Sequence, residues 1–184
     1  MEDLSLHILD IAENSIAAGA KNIEIKILED TRKDILRIEI IDDGKGMTPE
    51  EVKKVTDPFF TSRTTRRVGL GLPFFNQAAK MANGSMTIDS VPGKGTYVST
   101  IFQSSHIDRQ PLGSMAETIV ALIAGNPEIE IKYIHERNGN KFNFETKEIK
   151  QHLKDININS TDVLIFIKNY INENMKNFPT QISK

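Results

Sequence analysis

The stretch Ile35-Leu36-Arg37-Ile38-Glu39-Ile40-Ile41-Asp42-Asp43-Gly44-Lys45-Gly46-Met47 decides the fold. Apolar and polar residues alternate up to Ile41, as in a strand buried on one face. The chain then breaks into a loop holding two glycines. Gly44 and Gly46 let the backbone take positive φ and come close to a flat ligand. Asp42, at the strand end, can accept a hydrogen bond from a ligand amino group. Asp-Gly pairs are equally common in plain turns, so this segment alone leaves both readings open.

Working upstream, residues 22–28 repeat the alternation, with Ile23, Ile25 and Ile27 on one side and Glu24 and Lys26 on the other. Residues 30–34 form the turn between the two strands. Before them, Leu4, Ile8, Leu9, Ile11, Ala12 and Ile16 recur at helical spacing, which predicts a helix over 4–18 ended by Gly19. Asp10 and Asn14 are one turn apart and share a face of it. An amide oxygen can ligate Mg²⁺ whose other ligands are phosphate oxygens and water. A carboxylate one turn earlier can hold or deprotonate a water beside a terminal phosphate. Ordinary amphipathic helices also carry such pairs on their polar side.

Downstream, Thr48-Pro49-Glu50-Glu51 reads as a helix start, with Thr48 as N-cap and Glu51 closing a capping box. Asp57 to Val68 has no sustained period. It carries Phe59, Phe60, Thr61 and Ser62, and three of the seven arginines, Arg63, Arg66 and Arg67. Apolar anchors, hydroxyls and guanidiniums together suit a mobile lid over phosphates, although a solvated charged loop has the same composition. Gly69-Leu70-Gly71-Leu72-Pro73 opens a helix expected over 72–83. Its free N–H groups and positive dipole end would cradle phosphate. Strands over 86–91 and 96–102 follow, joined by Pro92-Gly93-Lys94-Gly95 as a hairpin.

Residues 104–111 are polar and aperiodic, as in a linker. A short helix over 115–124 comes next, then a hairpin of 129–136 and 141–146 around Asn138-Gly139-Asn140, then a helix over 161–175 with Ser160 as N-cap. Ile129, Ile131, Tyr133, Phe142 and Phe144 alternate as core residues would. This reading gives an α+β chain, with residues 1–104 as one domain and 105–184 as a small α+β extension that serves as an interaction unit.

Composition narrows the function. The chain of 184 residues has no cysteine, so disulfides, thiolate metal sites and cysteine nucleophiles are excluded. A net charge of −2 gives no general attraction to nucleic acid or to an acidic membrane surface, and neither is expected as a partner. Met1-Glu2-Asp3 is acidic where a secretion signal would be basic, and Ile119 to Ala124, the longest apolar run, is too short to span a bilayer. A cytoplasmic protein is expected.

In this order, the four segments resemble the gyrase, chaperone, histidine-kinase and mismatch-repair ATPase superfamily over roughly residues 1–104. Pro58-Phe59-Phe60-Thr61, Gly69-Leu70-Gly71-Leu72 and Pro92-Gly93-Lys94-Gly95-Thr96 look most like histidine-kinase ATP-binding domains. Glu13-Asn14-Ser15-Ile16-Ala17-Ala18-Gly19-Ala20 looks more like the mismatch-repair ATPases. The resemblance implies a Bergerat ATP-binding sandwich, a mixed and mostly antiparallel sheet with helices on one face. ATP and Mg²⁺ are the implied ligands. Asn14 would hold the metal, Asp42 would read adenine, and Gly44, Gly46 and Met47 would line the base. Phe60, Thr61, Arg63, Gly69, Leu70, Gly71, Leu72 and Thr96 would complete the nucleotide site, with Asp10 as the catalytic residue.

Three departures from the family pattern stand out. Hydrolytic members usually carry Glu where Asp10 stands. Histidine kinases often carry Lys at the position of Ala17, and commonly Gly at that of Arg67. No phosphoacceptor context surrounds His7, which reads as structural, nor His106, His135 and His152, which read as exposed polar residues. A phosphoacceptor or other protein partner in trans is therefore expected. The implied functions are a stand-alone protein kinase or regulator, a nucleotide-gated binding module, or a homodimeric ATPase of the mismatch-repair type. The C-terminal residues also resemble small ATP-binding proteins encoded beside electron-bifurcating hydrogenases, which would make the partner a redox complex.

Overall fold

The computed structural model describes residues 3–56 and 71–178. The elements run α1 (Leu4–Ala17), β1 (Asn22–Asp30), β2 (Ile35–Asp42), α2 (Pro49–Thr56), α3 (Gly71–Met81), β3 (Ser85–Val91), β4 (Gly95–Gln103), α4 (Met115–Gly125), β5 (Glu130–Arg137), β6 (Asn140–Glu145), α5 (Thr146–Leu153) and α6 (Thr161–Lys176). The strands form one six-stranded sheet in the order β3-β4-β2-β1-β5-β6. Every pairing is antiparallel except β1 with β5. The fold is thus mixed α+β with a mostly antiparallel sheet.

The alternation read in the sequence is the pleat of this sheet. Ile23, Ile25, Ile27, Leu36, Ile38, Ile40, Val98, Phe102, Ile131, Tyr133, Phe142 and Phe144 are buried with Ile8, Phe75, Ile119 and Ile167 from the helices in one apolar core. Burial of this kind contributes about 25 cal/mol per Å² of apolar surface. Residues of opposite parity pair with one another, within a strand and between neighbouring strands. Lys26 and Lys132 both reach Glu24, Lys132 also reaches Glu145, and the Tyr97 hydroxyl donates to Glu39 at 2.7 Å.

Residues 105–184, read from sequence as an extension, supply β5 and β6 to the same sheet that holds β1 to β4. The polar segment expected to be a linker is fixed in place. The Ser105 amide and hydroxyl both donate to Asp34, each at 2.7 Å, and Arg109 Nε donates to the Ser104 carbonyl at 2.6 Å. The Pro111 and Leu112 carbonyls accept from the amides of Leu4 and Ser5 at 2.9 and 2.8 Å. Those amides belong to the first turn of α1, where a helix has no acceptors of its own. The segment therefore completes the N-terminus of α1.

Two local expectations differ from the structure. Residues 146–153 form α5, which the periodicity does not predict, because Ile149 and Leu153 are the only apolar residues on it. His135, expected to be exposed, is 2% exposed. Its ring lies between the Tyr133 hydroxyl at 2.7 Å and Glu29 Oε1 at 2.6 Å. Burial pushes the Tyr133 phenol far above its usual range, so it stays a donor. His7 is buried and stacks on Phe75 with ring centroids 5.3 Å apart. Burial lowers its pKa despite the hydrogen bond to Gln110, as suits a structural, neutral ring. Among the described residues no helix is long and apolar enough to cross a membrane.

Candidate functional site

The candidate site lies where α1, the end of β2, the start of α3 and the β3–β4 hairpin come together. Ser15, buried beside Asn14, donates its hydroxyl to Asp42 Oδ2 at 2.6 Å. The other carboxylate oxygen accepts from the Gly44 amide at 2.9 Å. Asp42 is thus oriented from two sides, by the metal-candidate helix and by its own loop. Charge-assisted bonds of this kind are about twice as strong as neutral ones. Asp43 faces the other way. Burial opposes its charge, but the Asn22 side chain and the amides of Asn22 and Lys21 outweigh that and hold its carboxyl below the usual range. Asp43 therefore ties the loop to β1, while Asp42 points toward α1.

Glycines set the spacing of these walls. A side chain at Gly46, where φ is +66°, would overlap the Val91 carbonyl, and one at Gly95, where φ is +100°, would overlap the Asp42 carbonyl. Both positions need glycine for conformation and for space. Ser90 fastens the hairpin to the loop, accepting from the Met47 amide at 2.8 Å and donating to the Gly95 carbonyl at 3.0 Å. Thr96 Oγ1 lies 2.9 Å from Ser90 Oγ, and Thr96 stands opposite Asp42 in the β2–β4 register.

Gly71 is the first residue of α3, and a side chain there would overlap the Asp10 carboxylate. Asp10 thus rests against the N-terminus of α3, where amides are free and the helix dipole is positive. Asp10 and Asn14 are both half-buried. Among the described residues neither side chain has a hydrogen bond or an ion pair. This contrasts with Ser15 and Asp42, which are hydrogen-bonded to each other, while each Asp42 oxygen accepts one bond and can take another. Two half-buried polar groups one turn apart, with no side-chain hydrogen bond among the described residues and the first of them against a helix N-terminus, fit a ligand that carries both metal and phosphate.

Of the residues singled out in the sequence, the structure brings Asp10, Asn14, Asp42, Gly44, Gly46, Met47, Gly71 and Thr96 to these four walls. Leu72 packs partly buried against the core behind them. Phe60, Thr61, Arg63, Gly69 and Leu70, with Arg66 and Arg67, lie outside the described residues. Sequence reasoning missed Ser15 and Ser90. Ser15 follows Asn14 directly and could have been noticed there. Ser90 acts through partners in the loop after β2 and on β4, which no local pattern reveals.

Residues 2–106 match the histidine kinase-, DNA gyrase B- and HSP90-like ATPase family. The chain is 34% identical over 110 residues to the sensor protein kinase FleS of Pseudomonas aeruginosa, covering 60% of this chain and 27% of that one. It is 46% identical over 54 residues to the DNA mismatch repair protein MutL of Clostridium perfringens, covering 29% and 8%. It spans about a quarter or less of the length of the curated relatives it matches. In fold it resembles the Aquifex aeolicus MutL ATPase domain complexed with ADP, with a TM-score of 0.51 and 18% identity over 79% of this chain and 63% of that one. The family match covers more than half of the sequence and ends where the fixed segment before α4 begins. The chain belongs to the histidine kinase-, DNA gyrase B- and HSP90-like ATPase family.

Proposed function

We propose that the chain binds Mg-ATP at this site and acts as a cytoplasmic, stand-alone protein kinase or regulator on a partner protein. The observation that carries the reading is the contrast inside the site. Asp42 is locked in orientation, while Asp10 and Asn14 stand half-buried with no side-chain hydrogen bond among the described residues, Asp10 against the start of α3. Asp42 would accept from the adenine amino group, with Gly44 and Gly46 leaving room for the base. Asn14 would offer its amide oxygen to Mg²⁺, which when bound supplies charge neutralisation between phosphate oxygens. The N-terminus of α3 would add its amides and dipole. Asp10 would orient the attacking group, a water or a side chain of the partner, and take up its proton. Arg63, Arg66 and Arg67 would neutralise charge that develops during transfer.

The deciding experiment incubates the purified chain with Mg-ATP, follows ADP by chromatography and weighs the protein for a phosphate adduct. ATP binding lost in both Asp42→Ala and Asn14→Ala supports the site. Unchanged binding in both rejects it. ADP without an adduct indicates an ATPase cycle, whereas bound ATP without turnover indicates a kinase awaiting its acceptor or a nucleotide-gated binder. A phosphorylated chain would overturn the acceptor in trans.

A second reading, a homodimeric ATPase closing around nucleotide, is favoured by the local identity to MutL and by the shared fold. Under that reading dimerisation requires Mg-ATP, and Asp10→Ala abolishes ADP production.

A further inference from the structure

We infer that the outward face of α6 pairs with the same face of a second copy of this chain, antiparallel about Asn169. The inference does not depend on nucleotide binding. α6 buries Val163, Ile167 and Ile171 against the core. Its opposite face leaves Ile165, Phe166 and Tyr170 exposed at 54%, 57% and 39%. Scattered exposed apolar residues need no explanation, but three adjoining ones within two turns form a patch of the kind used for association. The Phe166 and Tyr170 rings stack at 6.1 Å, and Tyr170 also rests on Phe142 at 5.7 Å. The aromatic pair is thus held on the scaffold, so little side-chain freedom would be lost on docking.

Charge identifies the occupant. Asp162 and Lys176 lie on this exposed face at equal distances along the helix from Asn169. In an antiparallel pair centred on Asn169, each Asp162 comes level with Lys176 of the second copy, and two equivalent ion pairs close the ends. The Asn169 amides meet at the two-fold axis, where an amide can both donate and accept. Phe166 and Tyr170 fill the space between, and the helix dipoles oppose. A parallel pair would set Asp162 against Asp162 and Lys176 against Lys176, with dipoles aligned. Lys168 does not enter, because it reaches Glu117 on α4 at 2.9 Å. The face is therefore self-complementary, as a two-fold interface requires.

The test is sedimentation equilibrium of the full chain without nucleotide over a wide concentration range. A monomer–dimer equilibrium is expected. Phe166→Ser should weaken it at least tenfold. Asp162→Lys or Lys176→Asp alone breaks both symmetric pairs and should weaken it roughly tenfold. The double variant D162K/K176D should return the dissociation constant to within about threefold of the parent, by the same pairwise reasoning. Circular dichroism confirms that each variant is folded, and all substituted positions are exposed. A chain that stays monomeric overturns the proposal and leaves the face for a different partner. So does a dimer that is indifferent to these substitutions, or one that forms only with Mg-ATP. A double variant no better than the singles rejects the antiparallel register.

Discussion

Gly71 has no side chain, and Asp10 occupies the space one would need. That single contact sets how close α1 comes to the phosphate-candidate end of α3. Gly71→Ala should force the Asp10 carboxylate to turn away and lower the ATP turnover proposed above at least tenfold, while leaving the unfolding midpoint within a few degrees, because a short surface-directed side chain can move. Steady-state ADP release and a thermal melt would separate the two effects. Gly95→Ala should behave differently. There the obstruction is the Asp42 backbone carbonyl and φ is +100°, so the cost falls on the fold, about 2 kcal/mol or more in urea unfolding. Ser15→Ala should leave the Asp42 carboxylate with one fixed donor instead of two, costing about 1–3 kcal/mol of stability. Nucleotide affinity should fall with it, and titration calorimetry would read that loss. Ser15→Thr, which keeps the hydroxyl, should recover part of both.

At the scale of elements, two hydrogen-bonded devices carry measurable weight. α2 opens with a reciprocal capping box, in which the Thr48 amide donates to Glu51 at 2.7 Å and the Glu51 amide donates to Thr48 Oγ1 at 3.2 Å. Thr48→Ala should cost about 1 kcal/mol in urea unfolding. The second device joins β1 to β5, the one parallel pair. Glu29 on β1 accepts from His135 and from Arg137 on β5. Burial works hardest against its charge, but the His135 and Arg137 hydrogen bonds and the Arg137 charge outweigh it and bring its pKa from 4.5 to about 2. A depressed carboxyl contributes fully above its unfolded value and loses that contribution as pH falls through the folded one. The parent should therefore lose stability between about pH 4.5 and pH 2, by up to about 3 kcal/mol from this group. In Glu29→Gln that acid limb should be flatter, as denaturant midpoints measured across the range would show.

Across the whole molecule, the sheet does not stop where the family match stops. β5 lies beside β1 over residues 22–29, and α4 packs on α1, the helix bearing Asp10 and Asn14. Thr118 on α4 donates to the Ser5 carbonyl, and the Pro111 and Leu112 carbonyls complete the first turn of α1. Residues 1–104 made alone would expose the β1 edge and the buried side of α1. An uncovered, apolar edge strand invites association. That fragment should aggregate or melt without a cooperative transition, whereas the full chain melts in one. Light scattering and circular dichroism during heating would distinguish them. A fragment that folds cooperatively and binds nucleotide would show the C-terminal strands to be dispensable.

Local pattern is enough to reveal the strands of alternating pattern, the helices with broad apolar stripes, the capping box at Thr48 and the family of the chain. Each of these rests on residues close in the sequence, so periodicity and turn chemistry report them directly. Short-range pattern also singled out Asp10, Asn14, Asp42 and the glycines, because the spacing of those residues is itself the signal. Tertiary structure alone decided that Asp10 meets Gly71, that Ser15 holds Asp42, that Ser90 links Met47 to Thr96, and that β5 runs parallel beside β1. It also decided that His135 is buried against Glu29 and that α5 forms on two apolar residues. These outcomes depend on partners distant in the chain. A buried polar group chooses among them by which donors and acceptors the packed core brings within reach, and that choice is made only when the sheet closes over the helices.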